Sequence, residues 1–443
     1  MGGGCVEPLI LAASNEGGLM KDIEVRREAG AALYNLALSL ENGMAMTQSG
    51  VVSALISMIP TNDIVCQVFA IGTLANLAER GSTVQSRLID DGCLPPLINH
   101  VEACKGNIET KREVSRCLAL FAYNINSHTQ IMCRKSLECV LILMKSEEDI
   151  LSRRLCCAHL IANLALFVDN HNLLIEIGAL AALNDLVDVD DVETKRCAAF
   201  AFHNFCKNEN THEDCEKSVV ARSLSSLLLN LDKFTKLHSC LALKYVSIST
   251  KARAQFVEYG GIPQLLTLAV DGDDEQKREA VAALRNLSIF DRNKVIIMRE
   301  RGMEILMDFC RSSDQKLCHQ ACGVLANLTE APENQELMIK EGILHHLNFF
   351  MRSNAKEVLR ESLRAIANLS SDFTCTEVIA SSGGLAPLIQ SLSSNDDLCR
   401  RFATMSISNL ATNRNNQNRI VEEGGIQPLL FIASDCEDDN DLS

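Results

Sequence analysis

The 443-residue chain has no Trp, four Tyr and eight Pro. Aromatic residues make up 4% of it and hydrophobic residues 47%, so a core must be built from aliphatic side chains. Scarce Pro removes the commonest helix breaker. No run of 18 apolar residues occurs, which excludes a membrane-spanning helix, and no basic segment leading into an apolar stretch opens the chain as a secretion signal. Phosphate-cradling loops of the Gly-x-x-x-x-Gly-Lys-Ser/Thr and Gly-x-Gly-x-x-Gly kinds are missing, and so is Cys-x-x-Cys. Basic residues are in deficit, with 42 Lys and Arg against 57 Asp and Glu, a net charge of −15. That balance argues against non-specific nucleic-acid binding, which needs a basic surface to displace counterions. The 19 Cys are an odd count without a secretion signal, so they read as thiols of a reducing cytoplasm, used as small hydrophobes.

A repeat fills the space these absences leave. The phrase Ala-Leu-x-Asn-Leu recurs with variations, its Asn falling at Asn35, Asn76, Asn124, Asn163, Asn204, Asn286, Asn327, Asn368 and Asn409. Successive spacings are 41, 48, 39, 41, 82, 41, 41 and 41 residues, and Tyr245 stands at the position skipped by the 82. About ten units follow from this period. Gly50, Gly92, Gly178, Gly261, Gly302, Gly342, Gly384 and Gly425 mark a turn before an apolar run in each unit, while the units near Ser136 and Arg222 lack it. In one unit, residues 293–300 read as a short helix, 303–311 as a second and 315–329 as a longer third. Leu317, Ala321, Val324, Leu325 and Leu328 give that third helix its apolar stripe. The 48-residue gap reads as an insertion over 102–110. Three helices per unit, each too small to bury its own apolar face, make an all-α solenoid.

The phrases Gly260-Gly261-Ile262-Pro263-Gln264-Leu265-Leu266 and Glu279-Ala280-Val281-Ala282-Ala283-Leu284-Arg285-Asn286-Leu287 resemble the armadillo repeat family. The resemblance implies a right-handed α-solenoid of about ten three-helix repeats, a single array over 1–434, with 435–443 as an acidic, loop-like tail. It also implies a concave groove lined by the third helices, in which an Asn ladder bonds the backbone of an extended peptide. Asn35, Asn76, Asn163, Asn204, Asn286, Asn327, Asn368 and Asn409 are the candidates, a scaffold role for each being the alternative. Nuclear-import receptors of the family place Trp four residues before this Asn. With no Trp, that clamp for Lys side chains is excluded.

Eight residues before the Asn stand Arg27, Arg116, Arg196, Arg278, Arg360 and Arg401, two helical turns away on the same face. Two readings stay open. The arginines capture an acidic or phosphorylated segment, as the resemblance to catenin-type domains implies, or they pair with nearby acids such as Asp190, Asp191 and Glu193. Arg196, Arg278, Arg360 and Arg401 join the candidate groove set on the first reading. Cys117, Cys156 and Cys197 recur at one repeat position, as packing predicts, and Cys318, His319 and Cys322 sit within one amphipathic helix. No metal, cofactor, nucleophile or general base is expected.

The expected function is a non-enzymatic scaffold or adaptor holding a protein segment in the cytoplasm or nucleus. Gly2 and Cys5 raise an alternative: two acylation sites near the start resemble the lipid-anchored armadillo scaffolds of the fungal vacuole, which are peripheral on an internal membrane. Val6 stands where the acylation pattern has Ser or Thr. A third reading makes the chain the substrate-binding part of a larger enzyme such as a ubiquitin ligase. The start reads as the second helix of a repeat, and neither end carries a polar capping repeat. The expectation is therefore a fragment of a longer array, end-to-end self-association, or ends covered by a partner.

Overall fold

The computed structural model describes residues 6–14, 22–39, 41–103, 107–124, 128–132, 137 and 158–438. Among them there are helices and no strands. Ten third helices recur through the chain: α1 (Ile23–Ala37), α2 (Ile64–Ala78), α3 (Ile108–Phe121), α4 (Ile161–Leu164), α5 (Val192–Lys207), α6 (Lys233–Val246), α7 (Asp274–Leu287), α8 (Gln315–Leu328), α9 (Lys356–Ser370) and α10 (Asp397–Leu410). Two shorter helices precede most of them, as Asp291–Arg299 and Gly302–Phe309 precede α8. No described helix is long and apolar enough to cross a membrane.

Local chemistry starts the third helices. Asp22, Asp63, Asn107, Asp191, Asp314 and Asp396 cap α1, α2, α3, α5, α8 and α10, each accepting a first-turn backbone N–H. Asp273 and Gln276 complete a reciprocal capping box at α7. Burial holds the helices together. Leu74 in α2, Leu284 in α7, Leu325 in α8 and Ile366 in α9 are fully buried. The chain forms two compact units, Met1–Ala242 and Leu243–Ser443, divided within the helix that carries Tyr245. In the first unit α1 packs on α2 and α2 on α3; in the second, α7 to α10 pack in succession.

Three readings from the sequence are corrected. The landmark Asn lies twelve residues after the first residue of α1, α2, α5, α7, α8, α9 and α10. Counted the same way, the position in α3 is Leu120, and Asn124 lies beyond the helix, which ends at Phe121. The stretch read as an insertion over 102–110 overlaps two helices, Leu94–Ala103 and Ile108–Phe121, while 104–106 lie outside the described residues. Residues 435–438 are not loop either. The last helix, Ile426–Asp438, runs through them, since no Gly interrupts it as Gly272 ends Gly261–Asp271.

The third correction concerns the turn before each second helix. The left-handed residues are Gly50, Gly92, Gly178, Gly260, Gly342, Gly383 and Gly424, so in three doublets the first glycine carries the conformation. The second is needed for space: a Cβ on Gly261 would come within 1.9 Å of the Phe256 ring. The unit near Arg222 keeps the same turn without glycine, with Val219 at φ 54°, and Arg301 does so at φ 61°. A β-branched residue there is strained by about 1 kcal/mol. Val219→Gly is therefore expected to raise stability by about 1 kcal/mol, less the entropy of the added glycine. An increase in the urea midpoint would show it, whereas Gly260→Val should lower that midpoint.

Candidate functional site

The arginines eight residues before the landmark Asn are braces between repeats. Arg27, Arg196, Arg278 and Arg360 each reach the cap aspartate of the next third helix: Asp63 at 2.6 Å, Asp232 at 2.7 Å, Asp314 at 2.8 Å and Asp396 at 2.5 Å. The acid is thus 36 residues ahead, not the one just before the Arg, although Arg196 also meets Glu193 at 3.3 Å. Where His319 replaces the Arg, the cap aspartate is replaced too, by Ala355, which has no side-chain cap. Hydrogen bonds from Arg27 and Arg196 hold the carboxyls of Asp63 and Asp232 down at about 2. Asp396 is pulled lower still by Arg360 and Lys356. Arg401 is exposed on α10.

The Asn series divides between the two units. In the second, Asn286 Nδ2 donates to the Lys244 carbonyl at 2.8 Å. Asn327, Asn368 and Asn409 donate to the hydroxyls of Ser288, Thr329 and Ser370 at 2.8, 3.1 and 3.1 Å. Each of these three hydroxyls lies two residues past the landmark position of the preceding repeat. The matching residues in the first unit are Ala37, Ala122 and Ala165, and there the Nδ2 atoms of Asn76, Asn163 and Asn204 are buried without a partner. Asn35 is exposed. The coupled phrase Asn-Leu-Ser/Thr was a signal in the sequence that reading the Asn alone missed.

A second arginine register occurs once in each unit. Arg364 on α9 donates to Asn327 Oδ1 at 2.8 Å and to the Gly323 carbonyl, and pairs with Glu330 and Glu361. Arg116 on α3 repeats this with Asn76 Oδ1, the Gly72 carbonyl, Glu79 and Glu113. Arg116 therefore corresponds to Arg364 and lies four residues before the landmark, not eight. The glycines leave room beside neighbouring side chains: a Cβ on Gly72 would meet Tyr34 at 2.7 Å.

On α5 and α6 the same face is aromatic. Phe200, Phe234 and His238 stack with centroids 4.1 to 6.2 Å apart. Nδ1 of His203 and Nδ1 of His238 are 2.9 Å apart, so one donates to the other. Burial pushes His238 down to about 4. On α8 to α10 a cleft of about 330 Å³ is lined by His319, Glu357, Arg360, Glu361, Arg364, Leu398 and Phe402. Cys117 is fully buried, and Cys318 and Cys322 are buried with Cys310, the Cys322 and Cys310 sulfurs being 3.3 Å apart. Gly2, Cys5 and Cys156 lie outside the described residues.

Two outcomes follow. Ser288→Ala removes the nearer of two acceptors of the buried Asn327 amide, leaving the Arg285 carbonyl at 3.4 Å, and should cost about 1 kcal/mol, read as a lower urea midpoint. The carboxylates of Asp63, Asp232 and Asp396 ionise well below an unfolded aspartate, whose pKa is about 3.9. Their stabilisation is therefore complete above roughly pH 4 and lost as pH falls toward 2. Melting temperature against pH should steepen in that window, and Asp232→Asn should flatten part of it.

Comparison with known proteins agrees with this geometry. The armadillo/β-catenin-like repeat profile matches residues 249–289 and 290–330. An engineered protein solved by a structural genomics consortium is 24% identical over 91% of this chain and 98% of its own, with a TM-score of 0.68. A designed armadillo repeat protein is 16% identical over 52% of this chain and 99% of its own, with a TM-score of 0.49. No curated protein matches the sequence. Two repeats, 249–289 and 290–330, are thus matched directly by the armadillo/β-catenin-like profile, and the same three-helix unit recurs through the described chain.

Proposed function

We propose that the protein is a non-enzymatic scaffold that holds an extended segment of a partner protein along its third-helix face. The observation that carries this is the cleft across α8, α9 and α10, where His319, Glu361 and Arg364 sit beside Leu398 and Phe402. Leu398 is 43% exposed, a large apolar side chain open to a ligand. The neighbouring Asn286, Asn368 and Asn409 use Nδ2 to tie repeats together, which leaves each Oδ1 to accept a backbone N–H from an extended chain. Arg196, Arg278 and Arg360 are already matched by cap aspartates. The chemistry therefore favours a segment of mixed charge with an apolar anchor over a purely acidic one. Phe200 and Phe234 offer a second anchor site in the first unit.

Panning a peptide-display library against the full chain tests this reading. Selected peptides should share an apolar anchor and bind at least tenfold more weakly to Leu398→Asp or Phe234→Asp, a loss of about 1.4 kcal/mol. Helical content should be unchanged, since both side chains are exposed. Peptides that bind both variants as tightly as the native chain would place recognition elsewhere.

A further inference from the structure

Beyond the pairs described above, one grouping of donor atoms joins two successive repeats. His159 lies in π-helical backbone that runs into α4. Such turns are rare and are frequent at functional sites. Glu193 and Cys197 are four residues apart on α5 and so share one face. The donor atoms of all three lie within 4.8 Å of one another.

The His159–Glu193 distance suits a metal better than a hydrogen bond. His159 Nε2 is 3.4 Å from Glu193 Oε1, long for an N–H to O contact. The edge of a tetrahedron with bonds near 2.05 Å is also about 3.4 Å. Nδ1 of the same ring is buried without a partner, so the imidazole is poorly satisfied as it stands. Glu193 is oriented from outside: Arg196 holds Oε2 at 3.3 Å and leaves Oε1 turned to the ring. The Arg196 charge is itself matched by Asp232 at 2.7 Å. Side-chain exposures of 19% for His159 and 47% for Glu193 give an ion a path in.

We propose that His159, Glu193 and Cys197 form a site for a zinc-type divalent cation, clipping α4 to α5. One imidazole, one carboxylate and one thiolate are the donor set that zinc accepts. Binding sends the Cys197 thiol proton to solvent, and the sulfur ligates as thiolate. Three protein donors leave a fourth position for water. This site is independent of the peptide-groove reading, and neither stands or falls with the other.

Titration of the chelator-treated full chain with Co²⁺, followed by displacement with Zn²⁺, tests the proposal. One equivalent of Co²⁺ should produce a thiolate-to-metal charge-transfer band, and Zn²⁺ should abolish it and raise the melting temperature. His159→Gln, Glu193→Gln and Cys197→Ser should each weaken binding about tenfold or more. Cys399→Ser, which removes a buried thiol on α10, should leave it unchanged. Glu193→Gln preserves shape, so it keeps the test valid if Cys197→Ser fails to fold. A missing thiolate band in the native chain, or an undiminished one in Glu193→Gln, would overturn the assignment.

Discussion

The cap aspartate shared between two repeats is the contact on which the regular stacking depends. Asp63, Asp232, Asp314 and Asp396 each do two things with one carboxylate. They satisfy backbone N–H groups at the start of their own third helix, and they receive an arginine from the repeat before. The start of one helix is thereby tied to the face of its neighbour. Hydrophobic burial supplies most of the cohesion but has no direction. Leucines and alanines pressed together would tolerate sliding by a turn, and the carboxylate does not. The exposed pairs contribute little individually as Coulomb attraction. Their effect is on register, because losing one also loses a cap.

The Asn staples add a second constraint at the other end of the same helices. In Leu243–Ser443 the amide, the hydroxyl two residues past the preceding landmark, and that hydroxyl's own carbonyl acceptor form a short relay, as in Asn327 to Ser288 to Arg285. In Met1–Ala242 alanine stands at the hydroxyl position and the Nδ2 donors of Asn76, Asn163 and Asn204 have no partner. A buried donor without a partner is costly, so the two units differ at this Asn position though they share the same repeat unit. The first unit also holds the aromatic and histidine cluster and the His159, Glu193 and Cys197 grouping.

Much of this was legible before any coordinates. The 41-residue period, the three-helix unit and its boundaries within one or two residues follow from spacing, Gly turns and cap residues, all of them local signals. The misreading of α3 shows where local signals end. Asn124 carries the right residue type near the right spacing, yet it stands four residues too late, and Leu120 takes the position. The Gly72 and Gly323 carbonyls and the acids Glu79 and Glu330 reveal the true correspondence, and they lie about one repeat away in sequence. Turn geometry was likewise legible only where glycine marked it, because Val219 and Arg301 hold the same backbone against their own preference.

By itself the sequence determined the fold class, the repeat length and the helix starts, because periodicity and capping act within a few residues. Which faces meet was decided by the tertiary structure. It turned the arginine row from a free basic ladder into braces, divided the Asn row into stapled and unpartnered Nδ2 donors, and brought His159 to Glu193 and Cys197. Those outcomes depend on what lies 34 to 42 residues away on the next helix, which no local pattern encodes. The charge on a side chain is written in its residue type, but whether that charge remains available to a partner depends on the neighbour that stacking supplies.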